Sequence, residues 1–276
     1  MFKRICVAAA LLATGAVAGW AGSAGSAPSG PQAAVKPPKG KLVDLSYPFN
    51  AQTIYWPTAK TFTLEKVAEG ETEGGYFYAA NNFEGAEHGG THLDAPVHFA
   101  RNGDKADEIP LRRLMGRGVV VDVSEAALAD RDYQVTRGDL VAHERRHGRI
   151  PKRAIVLLHT GYGRYWPDRE RYMGTAELGE GAVPKLHFPG LHPNGARWLV
   201  RRRDVRAVGL DTASIDYGQS KLFESHRVLG AAGVPVFENV ANVRRLPTDG
   251  FVFIGLPMKI EGGSGGPLRA MAIVPR

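Results

Sequence analysis

The chain has 276 residues, 43% apolar and 23% charged, with a formal net charge of +7 at pH 7. That is enough chain for a large domain with a sizeable core, and the composition excludes a disordered chain or a membrane bundle. The basic residues gather in short runs such as Arg201-Arg202-Arg203 and Arg244-Arg245. They lack the aromatic-interleaved stripe or reader motif of a nucleic-acid binder, so a solvated basic surface and no nucleic-acid partner are expected.

Residues 1–27 read as a secretory signal peptide. Lys3 and Arg4 supply the positive start, an Ala/Leu/Val-rich run extends from Ile5 to about Gly19, and small residues fill Ala21 to Ala27. The apolar run is short for a membrane span of ~20 residues. Cleavage after Ala24 or Ala27 is therefore expected, with export to the periplasm or the medium and no stable membrane insertion. Removal of Lys3 and Arg4 leaves +5, and removal of Cys6, the one cysteine, leaves neither disulfide nor thiol chemistry. Residues 28–41, rich in Pro, Gly, Ala and Lys, read as a flexible linker. One globular domain is expected over 42–276.

Within it, short β-branched or aromatic runs bounded by Gly, Pro or Asp predict strands at Val119–Val123, Ala154–His159, Val205–Leu210, Val234–Phe237, Phe251–Leu256 and Ala270–Val274. Apolar spacing predicts helices over Pro193–Arg203, with Asn194 as its cap, and over Ser220–Ala232, stopped by Gly233. Elements of both kinds alternate irregularly, which gives an α/β domain. Tyr162–Phe188, rich in charge, Gly and Tyr, is expected to be a long loop or lid.

The chemistry concentrates in His88-Gly89-Gly90-Thr91-His92-Leu93-Asp94-Ala95-Pro96-Val97-His98. Pro96 argues against a helix here. In an extended chain His92, Asp94 and His98 share one face, and the Cα atoms of His92 and Asp94 lie about 6.6 Å apart, close enough to share a metal. His88 would lie about 13 Å from His92 in a straight chain, but the Gly89-Gly90 pair permits a bend that folds it back. His98, about 13 Å beyond Asp94 along an extended strand, is a poor direct ligand for the metal of His92 and Asp94 and is better placed to reach water or substrate. Two His and one Asp with open positions suit a catalytic metal rather than a closed structural one.

This segment carries the pattern His-x-Gly-Thr-His-x-Asp-x-Pro-x-His, and the chain resembles the cyclase family of metal-dependent hydrolases, which includes bacterial kynurenine formamidase and isatin hydrolase. The likeness extends to Phe188-Pro189-Gly190-Leu191, to Val208-Gly209-Leu210-Asp211-Thr212 with Ser214 and Asp216, to His226-Arg227-Val228-Leu229, to Glu238-Asn239-Val240-Ala241-Asn242 and to the tail Leu256–Ala270. It implies a swivelling β/β/α single domain, usually a homodimer or larger. It further implies that His88, His92 and Asp94 bind a first divalent metal, Mn2+ or Zn2+. His98 would act as acid/base, and His226 with Glu238 would complete a second metal site, with Asp94 able to bridge.

The resemblance implies hydrolysis of a C–N bond in a small cyclic amide or an N-formyl arylamine, with Trp56, Phe62 and Phe83 available to pack against an aromatic substrate. Lactone or ester hydrolysis by the same site is the alternative, and an exported metal- or solute-binding protein without turnover is a third reading. Asp211, Ser214 and Asp216 follow a predicted strand, where they either face a ligand crevice or cap a loop. His143 and His147 have helical spacing but charged surroundings, and His187 is a candidate for the pocket wall.

Overall fold

The computed structural model describes residues 40–276. The expected leader, and the linker up to residue 39, lie outside them. Lys41, read as linker, instead opens the first strand, because its backbone pairs with Val274 near the end of the chain.

The strands in chain order are β1 (Lys41–Asp44), β2 (Thr63–Glu71), β3 (Phe77–Glu84), β4 (His92–Asp94), β5 (Met115–Asp122), β6 (Gln134–Val135), β7 (Ile155–His159), β8 (Gly190–Leu191), β9 (Ala207–Leu210), β10 (Val236–Glu238), β11 (Phe251–Pro257) and β12 (Gly265–Val274). The main sheet runs β1-β12-β11-β5-β7-β9-β10-β4, and β4 returns to pair with the start of β12. This closes seven strands into a barrel, with β1 lying on the edge of β12. The central strands β5, β7, β9 and β10 run parallel, and the other pairs in this sheet are antiparallel.

The near-continuous apolar runs of β5 and β7 are buried on both faces, as central parallel strands require. Val120, Ile155 and Leu157 point into the barrel with Phe237 and Phe253. Val119, Val121, Val156 and Leu158 face the outer helices, where Leu140, Ala196, Leu199 and Leu229 cover them. Each such side chain is worth about 1.5–3 kcal/mol relative to exposure.

All six expected strands are present, with ends shifted by up to five residues. The Pro193–Arg203 helix is regular only to Trp198 and continues in wider turns to Arg203. Its cap is the His192 ring, whose Nδ1 accepts from Asn194 N at 3.1 Å. Asn194 instead caps a neighbouring helix by accepting from Arg137 N at 3.0 Å. The second expected helix begins only at Glu224, because Phe223 is held at φ 47°. Tyr162–Phe188 is a packed segment rather than a lid. Tyr172, Met173, Leu186 and Phe188 are fully buried, and Tyr172 Oη donates to Asp211 O and Asn239 Oδ1. Among the described residues no helix is long and apolar enough to cross a membrane.

Candidate metal centre

The glycine bend before β4 has the form the sequence suggests. Gly90 sits at φ +55°, and Gly89 bridges Tyr55 so closely that a Cβ there would lie 2.1 Å from the Tyr55 ring. The chain thus reverses, and His88 Nδ1 comes 2.6 Å from Asp94 Oδ1. β4 sits between two strands. His92 pairs in register with Glu238 of β10, and Asp94 with Gly265 of β12. This places His92 Nε2 3.2 Å from Asp94 Oδ1 and 3.5 Å from Glu238 Oε2. From the Glu224–Ala231 helix, His226 Nε2 reaches Asp94 Oδ2 at 3.0 Å and Glu238 Oε1 at 3.3 Å.

His98 departs from the extended-chain expectation. Pro96–His98 forms a tight 3-10 turn that swings the side chain back. Its ring stacks on His88 with centroids 3.9 Å apart. One of its nitrogens lies within 4.8 Å of ligand atoms of Asp94 and His226, as close a cluster as that of His88, His92 and Asp94. The separation of about 13 Å rested on a straight strand, and the strand ends at Asp94.

The donor set fits a divalent cation. His92 Nδ1 faces the Gly90 carbonyl at 2.9 Å, and His226 Nδ1 faces Asp216 Oδ2 at 2.8 Å. Both partners only accept, so each Nδ1 carries the ring proton and each Nε2 turns a lone pair toward the carboxylates of Asp94 and Glu238. Lone pairs converge from every side, and extra protons or a cation must separate them. Burial lowers the His226 pKa, but the hydrogen bonds to Asp216, Asp94 and Glu238 win and hold it well above the usual value. His92 is likewise raised against burial by Asp94 and Glu238. Burial raises Asp94, yet the charge of His88 and the hydrogen bonds of His226, His88 and His92 hold it well below the ordinary carboxylate range. Glu238 goes up through burial and the Asp94 charge. A divalent ion takes the place of those protons.

Around this cluster lies a cavity of about 310 Å3, walled by Ile54, Trp56, Ala59, Phe99, Ala213 and Phe223. Trp56 lines it as expected. Phe62 and Phe83 do not; they stack on each other at 6.2 Å, and Phe83 is 59% exposed. Ser214 lines the cavity, but Asp211 is turned inward to accept from Thr160 and Gly161 and so holds a loop. His187 pairs with Asp132 outside the cavity wall. A larger cleft of about 780 Å3 contains His143, His147 and His159, yet their donors do not converge.

Several groups support these ligands, and of them the sequence singled out Asp216 alone. Asp216 orients His226, the Ile215 N–H holds Glu238 Oε1 at 2.7 Å, and Ser264 Oγ lies 2.9 Å from His88 Nε2. None has a spacing signal, since each acts across a turn or a strand pairing.

Comparison with known proteins bears on this geometry. The Cyclase family, described as "Putative cyclase", matches residues 43–217. The isatin hydrolase of Roseibium aggregatum is 30% identical over 221 residues, 77% of this chain and 81% of that protein. The kynurenine formamidase of Salinibacter ruber is 27% identical, covering 83% and 96%. Among solved structures, isatin hydrolase A from Ralstonia solanacearum superposes with a TM-score of 0.77 at 31% identity, over 85% of this chain and 92% of that one. Isatin hydrolase A from Labrenzia aggregata, bound to benzyl benzoate, gives 0.76 at 31%, over 86% and 94%. With a matched family, relatives aligned over most of their length and a convergent His/carboxylate cluster, this chain belongs to the cyclase family of metal-dependent hydrolases.

Proposed function

We propose that the protein hydrolyses the C–N bond of a small cyclic amide or an N-formyl arylamine, as the names of its isatin hydrolase and kynurenine formamidase relatives suggest. The observation that carries this reading is the convergence of His88, His92, Asp94, His226 and Glu238 at the base of a small, largely apolar cavity. His88, His92 and Asp94 would hold one ion. Asp94 turns Oδ1 toward His88 and His92 and Oδ2 toward His226, so it can also serve a second position with His226 and Glu238. Mn2+ and Zn2+ both suit His and carboxylate ligands. A divalent ion supplies Lewis acidity there, polarising a carbonyl and lowering the pKa of water toward ~7.

The chain's own residues do the rest. Burial pushes the His98 pKa down to about 4, with the neighbouring histidines adding to the effect against the Asp94 charge. His98 is then a neutral imidazole at pH 7, able to take a proton from water and give one to the departing nitrogen. Trp56, Phe99 and Phe223 offer ring faces and edges to a planar aromatic substrate and exclude bulk water from it.

The test is turnover of isatin, an N-formylaniline and a lactone of similar shape, with and without chelation followed by Mn2+ or Zn2+. Metal-restored opening of isatin or deformylation supports the reading. Turnover of the lactone alone would move it to ester hydrolysis, and no turnover of any would leave a binding protein.

We also propose export, on the composition of residues 1–27, and a homo-oligomer in solution. The β2–β3 hairpin supports the second point: among the described residues it pairs with no other strand, and it exposes Leu64, Phe77 and Phe83 by about 60% each. Mass spectrometry of the exported chain and light scattering test these.

A further inference from the structure

His88 is gripped on both edges of its ring. Nδ1 lies 2.6 Å from Asp94 Oδ1, and Nε2 lies 2.9 Å from Ser264 Oγ. Ser264 Oγ in turn lies 2.5 Å from Glu87 Oε2, which also accepts the Ser264 backbone N–H at 3.0 Å. A carboxylate only accepts, so the serine hydroxyl hydrogen points at Glu87. The hydroxyl lone pairs are then left for His88, and Nε2 must be the ring nitrogen that carries hydrogen. Nδ1, which faces Asp94, is then the nitrogen whose proton a metal replaces, and its lone pair is the one offered to the cluster. His92 and His226 are set the other way, with Nδ1 protonated and Nε2 inward.

We infer that Glu87 and Ser264 are positioning residues that lock His88 in its Nε2–H tautomer and so present Nδ1 to the metal. The inference rests on the reading of His88 as a ligand. Strand pairing builds the device. The Gly265–Asp94 register of β12 on β4 brings Ser264 to a histidine 176 residues away. The flanking glycines leave the room it needs. A Cβ on Gly265 would lie 2.6 Å from His88 Cε1, and one on Gly263 would lie 2.8 Å from Glu87 Oε1. The lock also fixes the plane on which His98 stacks, since the two rings are inclined by only 19°. Partners of this kind typically change metal affinity by about 10–100-fold when removed.

The test pairs two readouts on Ser264→Ala, Ser264→Thr and Glu87→Ala. The first is 15N NMR of the histidine rings in the Zn2+-loaded full chain. The second is affinity for Mn2+ and Zn2+ by calorimetry. Wild type should give a pure Nε2–H signal for His88. Ser264→Ala should give a tautomer mixture and about 10–100-fold weaker binding, and Ser264→Thr should restore both. Glu87→Ala frees the serine hydroxyl to rotate and should give an intermediate mixture; lying partly exposed, it leaves the fold least disturbed. An unchanged His88 signal in Ser264→Ala and Glu87→Ala, with unchanged affinity, overturns the inference and leaves the proposed function standing. If wild type binds no metal, the proposed function fails and the inference falls with it.

Discussion

His226 Nδ1 lies 2.8 Å from Asp216 Oδ2, and the same carboxylate oxygen accepts the His226 backbone N–H at 3.1 Å. Asp216 Oδ1 accepts from Ser225 N at 3.0 Å. One buried carboxylate therefore satisfies the first turn of the Glu224–Ala231 helix and aims its histidine. Of the two roles weighed for Asp216, it takes the capping one, yet through His226 it also shapes the site.

Asp216→Asn keeps one acceptor and loses the charge. Metal affinity at the position that includes His226 should fall by about 10–100-fold, read by calorimetric titration. Wild-type affinity would mean that His226 is held by packing alone.

Gly89→Ala should disturb fold and site together. The added Cβ would meet the Tyr55 ring at 2.1 Å, and Tyr55 also lines the cavity. Overpacking of this kind costs about 1–3 kcal/mol, which a thermal melt detects as a drop of roughly 2–4 °C per kcal/mol in a domain of this size. An unchanged melting temperature would mean that Tyr55 moves aside freely.

Acid should weaken the fold through Glu144. Burial alone raises its carboxyl, but the Arg203 hydrogen bonds, the Ile150 N–H and the Arg203 charge hold it below the ordinary value. A depressed folded pKa gives stability that is present above the unfolded value of about 4.3 and is lost as pH falls through the folded one. Arg203→Gln leaves a largely buried carboxylate without its cation and should cost about 3 kcal/mol at neutral pH. Urea midpoints of both proteins across the acid range check this, and the variant should lose less than wild type on acidification.

His98→Ala separates proton transfer from metal binding. Loss of a general acid/base costs about 10²–10⁴-fold in rate, and metal content should remain at the wild-type level. The tight turn at Pro96 brings His98 within ligand distance of Asp94 and His226. A variant that loses its metal would therefore make His98 a ligand.

Much of the site was legible because its residues are local. His88, His92 and Asp94 lie within seven residues, and the glycine pair announces the bend. His226 and Glu238 came from family likeness, since nothing in their spacing reveals the His92–Glu238 register. Ser264 and Glu87 were illegible because strand pairing across 177 residues joins them. The apolar runs of β5 and β7 were read correctly, as full burial leaves an unbroken signal. The β2–β3 hairpin was missed: its exposed faces mix Glu, Lys, Ala and aromatics, with a bulge between Lys66 and Ala68 that breaks the alternation. The Arg137–His147 helix was hidden by its charge, although Thr136 and Asp139 form a capping box at its start.

Side-by-side metal analysis and turnover of Asp94→Ala test the central claim most directly. Asp94 touches His88, His92 and His226 with its two oxygens. Its removal takes the shared anion from every metal position, so bound metal and amide turnover should vanish together while the protein remains folded. Full metal occupancy with wild-type turnover in this variant would contradict the account.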